Sequence, residues 1–353
     1  MTDRAEILAW ADQVAEDVLF PGALETDSSP LVPPGRLNSL AAVGLYGLFG
    51  PAEVGGLDAD PATGADVTEI LAGGCLTTAF VWAQHHSAVF AVATAASETV
   101  SGEWLAPLCR GDRRAGVAFA GLRRPGPPIL TARRSAGDWI LDGSAPWVTG
   151  WGRIDVVHTA ARDAEGNVVW LLVDAASSAT LEVEPLELAA VNASGTVSVR
   201  FRDHAVPAER MSFVETMEAF VERDAAGLWR NGSFALGLAR RCSFLMGSDI
   251  FDEETAACRK LLRDSTPETV LRARSRAAEL AVRAASALVA FGGGRSVLRS
   301  EQAQRLAREA IFVLVFGQTP AMRAAQLGRL REISEMATGD IRAMHAGGRG
   351  GPD

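Results

Sequence analysis

One short segment of the sequence combines an aromatic ring and a hydroxyl at a spacing that suits ligand binding. Residues 142–151 read Asp-Gly-Ser-Ala-Pro-Trp-Val-Thr-Gly-Trp, with Trp147 and Thr149 two positions apart. Alternate side chains of a strand point the same way, so both could face one site. A planar, largely apolar ring with a polar edge needs such a wall and a nearby hydroxyl or backbone donor. The alternative is that Trp147 and Thr149 are core and edge positions of a β domain.

Two adjacent histidines, His85 and His86, form a second candidate for chemistry because histidine can act as an acid or a base near neutral pH. Neighbouring residues on a helix face different directions, so at most one of the two can enter a given pocket. The alternative, which the pattern favours, is that one histidine is a hydrogen-bonded interior group and the other is exposed.

A run of three glycines, Gly292 to Gly294, lies between two helical patterns. Glycine permits close backbone approach and positive φ there, and exposed amides could hydrogen-bond a diphosphate. A plain interhelical turn is the equally acceptable alternative.

The hydrophobic pattern predicts three parts that would position these residues. Residues 1–112 and 213–345 show helical periodicity, and the glycine-rich tail 346–353 is expected to be disordered. Residues 113–212 contain short apolar runs between turn residues, clearest at 196–202, where apolar and polar residues alternate. With no helix-length segment between these runs, an antiparallel barrel or sandwich is favoured over a parallel sheet. The predicted fold class is α+β, mostly helical.

Composition excludes several classes of function. The 353 residues are 48% hydrophobic and 22% charged with a net charge of −9, so there is no basic field for nucleic acid. No apolar stretch is long enough to span a membrane and no signal peptide is recognisable, which predicts a cytoplasmic protein. Four widely spaced cysteines suggest buried, reduced thiols rather than a metal site or disulfides.

The layout of helices, a β domain and further helices, with four local motifs in the same order, resembles the acyl-CoA dehydrogenase family. The motifs lie at residues 44–57, 142–151, 196–207 and 291–323. The second is similar to the family's Gly-x-Lys-x-Trp-Ile-Thr-Asn flavin motif, and the third looks like its strand leading to a Val-Pro. Each motif alone arises often by chance, but four in register cover about residues 40–330.

The resemblance implies an FAD cofactor. In the family the residue matching Trp147 is a wall for the flavin, and the one matching Thr149 donates to its hydride-accepting nitrogen. The matching glycines bind the adenosine diphosphate half, often across a subunit boundary. Carried over position by position, the implied cofactor-binding residues are Trp147, Val148, Thr149, Gly292, Gly293, Gln318 and Thr319.

The family's catalytic glutamate is absent from its usual position. When Gly317 and Arg323 are aligned with the family's Tyr-Glu-Gly-Thr segment, Phe316 stands at the base position, and a phenyl ring transfers no proton. Glu309 lies seven residues earlier, roughly 10 Å away along a helix, which is too far for proton transfer. The family's second location for the base, on an earlier helix, also has no carboxylate in register. His86 and Phe316 are expected to line the substrate pocket, with no catalytic residue assigned.

The predicted function is therefore a flavin-dependent oxidoreductase acting on the CH–CH group of an acyl thioester of coenzyme A or a carrier protein, with a relocated or absent base. Two alternatives stay open: a two-component flavin monooxygenase of the same fold, and a non-catalytic homologue that binds acyl groups or carrier proteins. The resemblance implies a homodimer or homotetramer. The electron acceptor is not predicted.

Overall fold

The computed structural model of this protein describes residues 2–95 and 97–347, with side chains described up to residue 335. A helical layer, a β-sheet and a second set of helices follow one another along the chain, so the predicted α+β class is confirmed. The predicted tail 346–353 lies outside the described residues, except for its first two positions, which end the last helix.

The helices before the sheet begin at recognisable sequence signals. Helix α4, for example, follows Asp60, whose carboxylate accepts hydrogen bonds from the amides of Ala62 and Thr63 at 2.7 and 2.8 Å, with Pro61 in the first helical position. The helices are α1 (Arg4–Val14, continued by a π-helical turn), α2 (Ala23–Ser28), α3 (Pro34–Ala42), α4 (Pro61–Gly74), α5 (Leu76–Ala93) and α6 (Glu98–Arg110).

Eight strands form a single sheet in the described residues. They are β1 (Ala115–Ala118), β2 (Leu130–Ser135), β3 (Asp138–Val148), β4 (Val156–Arg162), β5 (Val168–Asp174), β6 (Leu181–Pro185), β7 (Val197–Val206) and β8 (Met211–Glu215). The sheet order is β6-β7-β3-β2-β4-β5-β8, with β1 paired to β4. Side chains from β2 to β7 share one apolar core, as a strongly curved sheet requires.

The expectation of an antiparallel sheet is corrected where β1 and β2 meet β4. β1 runs parallel to β4, and β2 meets β4 through a single parallel residue pair. The β2–β3 hairpin is inserted between β1 and β4, and this long connection returns the chain alongside β1 in the same direction. The remaining neighbours are antiparallel.

The helices after the sheet share a core with the helices before it. They are α7 (Met217–Gly227), α8 (Gly232–Met246), α9 (Asp252–Arg263), α10 (Val270–Gly292), α11 (Gln302–Val315) and α12 (Pro320–Gly347). One hydrophobic cluster joins buried side chains of α1, α4 and α5 to those of α8, α10 and α11. The two helical parts of the sequence therefore form one packed body beside the sheet.

Two glycines allow α4 and α8 to approach each other closely. A Cβ atom built on Gly237 would lie 2.3 Å from the carbonyl oxygen of Glu69 and 2.9 Å from the amide nitrogen of Gly73. These are backbone atoms of a buried helix, which cannot move aside cheaply. Gly237 is therefore required for the contact that joins the first helical part to the second.

We expect Gly237→Ala to lower the free energy of unfolding by about 1–3 kcal/mol, the usual cost of overpacking a core. Denaturant unfolding measures this loss. Gly102→Ala is the matched control, because Gly102 is an exposed position of α6 with no heavy atom within 4 Å of an added Cβ. The control should raise stability by roughly 0.5–1 kcal/mol. Equal stability of the Gly237→Ala variant and the parent would contradict the close contact.

Candidate functional site

Phe316 ends α11 inside a box of aromatic rings. Its ring centroid lies 5.1 Å from that of Phe80, 5.4 Å from Phe234 and 5.7 Å from Phe312. The contacts with Phe80 and Phe234 are edge-to-face, and Phe312 is stacked, which are the favourable geometries for aromatic pairs. These four side chains, here called the aromatic box, contain no group that can take up a proton.

Polar side chains from three distant segments surround Gly317, the next residue. A guanidinium nitrogen of Arg274 donates a 3.0 Å hydrogen bond to the carbonyl oxygen of Phe316. The point where a Cβ of Gly317 would lie is 3.5 Å from Nη1 of Arg123, 3.6 Å from Nδ2 of Asn231 and 3.7 Å from Nη2 of Arg274. Gly317 has φ +60°, a left-handed conformation that favours glycine. We call this place the Gly317 notch.

The carboxylate of Asp224 lies beside the notch, where it pairs with the side chain of Arg123. The Nε and Nη2 atoms of Arg123 donate to its two oxygens at 2.8 and 2.6 Å, a bidentate pair that is about four-fifths buried. Burial and the nearby Arg123 guanidinium lower the pKa of Arg274 to about 10, while Asp224 acts in the opposite direction. The sequence contains no signal for the roles of Asp224, Asn231 and Arg274 at this place.

Both histidines of α5 are buried, so the expectation that one would be exposed is wrong. His85 is a structural residue, since its Nε2 lies 3.1 Å from the carbonyl oxygen of Leu108 and its Nδ1 accepts the amide of Ala115 at 3.0 Å. His86 has no hydrogen-bond partner for either ring nitrogen among the described residues. Its ring packs edge-on against Trp82 and Phe49.

Burial, then the neighbouring His85 and Arg230, hold the pKa of His86 well below its usual value. His86 is therefore a neutral imidazole inside the helical layer. Phe80 of the aromatic box lies on the same helix, less than two turns before His86. His86 packs against Trp82 and Phe49, whereas Phe316 packs against Phe80, so the two predicted substrate-pocket residues contact different side chains of α5.

Trp147 lies at an irregularity near the end of β3. The register with β7 shifts between Ala145 and Val148, so simple alternation of side chains fails here. Trp147 has φ +62° and is 55% exposed, whereas Val148 and Thr149 are buried. A left-handed backbone conformation costs free energy for a bulky residue, and an indole left in solvent gains nothing from burial. Backbone strain of this kind concentrates at functional sites.

Thr149 begins a short chain of hydroxyl groups. Its Oγ1 lies 3.1 Å from Oγ1 of Thr196, which in turn lies 2.8 Å from Oγ of Ser194. When Ser194 donates to Thr196 and Thr196 donates to Thr149, the hydroxyl hydrogen of Thr149 is free for an outside acceptor. The Trp147–Thr149 segment can therefore present an indole face and one donor.

Helix α5 lies between this segment and the aromatic box. A Cβ on Gly150, directly after Thr149, would lie 3.6 Å from a methyl group of Val81, and the adjacent Phe80 packs on Phe316. The loop that carries Arg123 is also near, since a Cβ on Gly121 would lie 3.9 Å from Pro146. Gly150 and the aromatic box therefore contact adjacent residues of α5, and the loop that carries Arg123 of the notch lies beside Pro146.

The other predicted cofactor positions lie around the ends of α10 and α11. Gly292 is the last residue of α10, and the amide of Gly293, which has φ +61°, donates to the carbonyl of Ala290. That amide is therefore already paired within the helix end, contrary to its expected role as a free donor, although both glycines are exposed. Gln318 donates to the side chain of Gln326 at 3.0 Å, and Thr319 accepts the amide of Met322 as a helix cap.

The remaining ionisable groups show structural roles. Glu309 is fully buried and paired with Arg305 at 2.6 Å, and burial raises its pKa against the effect of that arginine. All four cysteines are free and buried, as predicted. Among the described residues no cluster of acidic, histidine or cysteine side chains could hold a metal ion, and no helix is long and apolar enough to cross a membrane.

Comparison with known sequences and structures identifies the proteins that this chain is similar to. Residues 2–112 match the model of the acyl-CoA dehydrogenase N-terminal domain. The chain is 25% identical over 248 residues to the human mitochondrial short-chain specific acyl-CoA dehydrogenase, an alignment that covers 66% of this chain. That alignment spans 59% of the human protein's length.

Solved structures share the whole arrangement of helices and sheet. Butyryl-CoA dehydrogenase from Megasphaera elsdenii superposes with a TM-score of 0.78 at 17% identity, covering 94% of this chain and 98% of that one. A glutaryl-CoA dehydrogenase from Mycobacterium smegmatis in complex with FADH2 gives 0.77 at 19% identity, covering 94% of each chain. The family model, the sequence relatives and the common fold agree in supporting the acyl-CoA dehydrogenase family for this chain.

Proposed function

We propose that this protein is an FAD-dependent oxidoreductase that acts on the CH–CH group of an acyl thioester carried by coenzyme A or a carrier protein. The observation that carries the proposal is Trp147, whose exposed indole is held in a left-handed backbone conformation beside the buried hydroxyl of Thr149. A stacking planar ligand would cover the indole and offset the cost of this conformation.

The residues of this chain fit a flavin at that place. Trp147 would stack against the ring system, Thr149 would donate its free hydroxyl hydrogen to the ring edge, and the Val148 backbone lies between them. Bound flavin would supply the acceptor for the hydride that leaves the substrate. Gly292, Gly293, Gln318 and Thr319 stay proposed contacts for the rest of the dinucleotide, with the paired amide of Gly293 the least suited.

The aromatic box contains no group that could accept a proton from the substrate. When Gly317 and Arg323 are aligned with the family's Tyr-Glu-Gly-Thr segment, Phe316 takes the base position, and the four rings of the aromatic box offer no proton acceptor there. His86 is buried and neutral, and its ring would have to gain a charge far from water to act as a base. The proposal therefore includes a relocated or absent base.

The test is the visible spectrum of the purified protein before and after anaerobic addition of butyryl-CoA. We expect a retained yellow flavin whose absorbance the thioester bleaches. A protein that remains colourless after incubation with FAD, or a bound flavin that no acyl thioester reduces, would refute the proposal.

We expect Trp147→Gly to weaken FAD binding about tenfold, the effect of losing one good stacking contact. Stability should change by less than about 1 kcal/mol, because glycine accepts the left-handed backbone and the indole is exposed. Fluorescence titration of FAD and denaturant unfolding measure the two effects. Ala136→Gly is the control, since Ala136 also has a positive φ of 51° but lies in an exposed hairpin turn. Equal losses of FAD affinity in both variants would argue against stacking.

A specific observation supports each of two alternative functions. The unpartnered His86 would suit a two-component flavin monooxygenase that binds reduced flavin transiently, and an assay coupled to a flavin reductase would then give an oxygenated product rather than peroxide alone. The aromatic box would suit a non-catalytic homologue that binds acyl groups or carrier proteins. Stoichiometric flavin with turnover in the isolated chain would exclude the non-catalytic role.

Homo-oligomer formation, typical of the family, is part of the proposal. Large apolar side chains remain exposed around the ends of α10 and α11, among them Phe291, Val297, Ile311 and Val315. Such a patch marks a protein interface more often than a free surface. A homodimer or homotetramer that buries it is the proposed assembly.

A further inference from the structure

The Gly317 notch has donors but few acceptors. Arg123, Asn231 and Arg274 come from the loop after β1, the turn before α8 and the helix α10, and each places a side-chain nitrogen within 4 Å of one point beside Gly317. Because these segments are far apart in sequence, the fold alone creates their convergence. Nitrogen donors gathered around one point favour a ligand that offers oxygen acceptors.

Positive charge is in excess at the notch. Two guanidinium groups, Arg123 and Arg274, face the single carboxylate of Asp224, and Asp224 is already occupied by its bidentate pair with Arg123. Arg274 is only 5% exposed, so water does little to screen it. A third arginine, Arg230, is close enough to His86 to lower the pKa of that ring, and its own pKa is lowered by burial.

Arg274 also has a buried side-chain nitrogen without a partner in the described part of the chain, on the other branch of its guanidinium from the nitrogen nearest Gly317. Nη2 of Arg274 donates to the carbonyl of Phe316, but Nη1 has no hydrogen-bond partner among the described residues. A buried charged donor left unpaired costs more free energy than most hydrogen bonds contribute. An oxygen acceptor in the notch would remove this cost, and an anionic oxygen would also offset the positive charge of the arginines.

The residues around the Gly317 notch indicate which kind of anion it would bind. The aromatic box begins at the residue before Gly317, so an apolar chain can lie on its rings while an anionic end group reaches the notch. Gly317, Asn231 and Arg123 are each only partly buried, which leaves the notch open to a ligand. An apolar chain with a terminal carboxylate fits both features, and a planar carboxylate suits the fork of an arginine.

We propose that the Gly317 notch binds a carboxylate, so that the acyl thioester taken by this protein carries a second, ionised carboxyl group on its acyl chain. The inference rests on the proposed function for the thioester, and it adds the substrate class. In place of the family's negatively charged base, this chain presents positive charge to the substrate.

Calorimetric titration of the purified protein with matched thioesters tests the inference. Succinyl-CoA is compared with butyryl-CoA and adipyl-CoA with hexanoyl-CoA, so that each pair differs only in the terminal carboxylate. We expect the dicarboxylic member of at least one pair to bind about tenfold more tightly or better, the effect of a charge-assisted hydrogen bond. Retained flavin is quantified separately for every sample.

Two variants test whether the preference for the dicarboxylic thioester arises at the Gly317 notch. Arg274→Met should abolish it, so that the two members of each pair bind with equal affinity. Because Arg274 is buried and its loss could affect folding, Asn231→Asp is the second variant: it places a negative charge at the notch and should reverse the preference. Asn38→Asp is its control, since Asn38 already accepts a hydrogen bond from Arg114 at another site and the same added charge should change nothing.

The possible failures are distinguishable. If butyryl-CoA or hexanoyl-CoA reduces the flavin but neither pair shows a preference, the carboxylate inference is overturned and the proposed function stands. If the Arg274 and Asn231 variants lose flavin while their discrimination between thioesters is unchanged, the notch serves the cofactor, and the inference is again overturned. Failure of all four thioesters to bind would overturn both.

Discussion

Lowering the pH from 7.5 to 5 should reduce the free energy of unfolding by about 4 kcal/mol through His85 and His158 alone. Burial lowers the pKa of each ring to about 3 from its ordinary value of 6.5. Because the pKa of each ring is lowered in the folded protein, the ring binds a proton at pH 5 in the unfolded chain but not in the folded chain. Stability is therefore full above pH 6.5 and falls as the pH drops toward 3, with about 2 kcal/mol lost per ring at pH 5.

Burial and, to a smaller extent, the Arg223 guanidinium lower the pKa of His158, and the hydrogen bonds of its ring suit the neutral form. Its Nδ1 lies 2.9 Å from Oγ of Ser87, its Nε2 lies 3.0 Å from Oγ of Ser212, and its ring stacks on Trp170 with centroids 4.5 Å apart. The two serine hydroxyls satisfy both nitrogens of a neutral ring. A proton added to this ring would place a positive charge in a site without a carboxylate partner.

Urea unfolding at pH 7.5 and pH 5 measures the effect. His158→Gln should remove about 2 kcal/mol of the pH-dependent loss, although the variant is itself less stable. Ser87→Ala is the matched control, because it removes one hydrogen bond of His158 but keeps the titrating ring. A loss between the two pH values that is the same in His158→Gln as in the parent would contradict the assignment.

Phe316→Glu should raise the rate at which butyryl-CoA reduces bound flavin by at least about a hundredfold, the contribution of a positioned general base. The substitution introduces a carboxylate at the position that the sequence resemblance aligns with the family's glutamate. The rings of Phe80, Phe234 and Phe312 would surround this carboxyl group and raise its pKa, whereas the guanidinium groups of the Gly317 notch would act in the opposite direction and favour the ionised form that a base needs. The loss of aromatic contacts should cost about 2–4 kcal/mol of stability.

Phe312→Glu separates a positioned base from a carboxylate anywhere in the aromatic box. Phe312 stacks on Phe316 at 5.7 Å but lies one turn earlier in α11, so its carboxylate should give no comparable gain. Anaerobic stopped-flow measurement of flavin bleaching compares the parent with the two variants. No gain for Phe316→Glu, in a variant that still folds and binds flavin, would show that the substrate is not held at this position.

The fold was largely predictable because its signals are local. The alternation of apolar and polar residues that begins at 196 becomes strand β7, and the change from helical to strand patterns follows the order of the elements. The parallel pairing of β1 with β4 was missed, since strand direction depends on how the chain returns after the β2–β3 hairpin. No window of the sequence contains that information.

The site was predictable only in part, for the same physical reason. Phe316 and Trp147 could be found from motifs, but the irregularity at the end of β3, which leaves Trp147 exposed, is invisible in a simple alternating pattern. The Gly317 notch was not predicted, because Arg123, Asn231 and Arg274 meet only through tertiary packing. The two arginines near the aromatic box carried no motif, so an unpaired buried donor could be recognised only in three dimensions.

The contact between Gly73 and Gly237 has a consequence for how the protein is made. In the folded protein, α8, α10 and α11 cover the apolar faces of α1, α4 and α5. These later helices leave the ribosome only after the whole sheet has been synthesised. The nascent chain must therefore carry an uncovered hydrophobic surface while more than a hundred further residues are added. Chaperone binding during translation would protect that surface, and the sheet can form meanwhile as a separate unit with a core of its own.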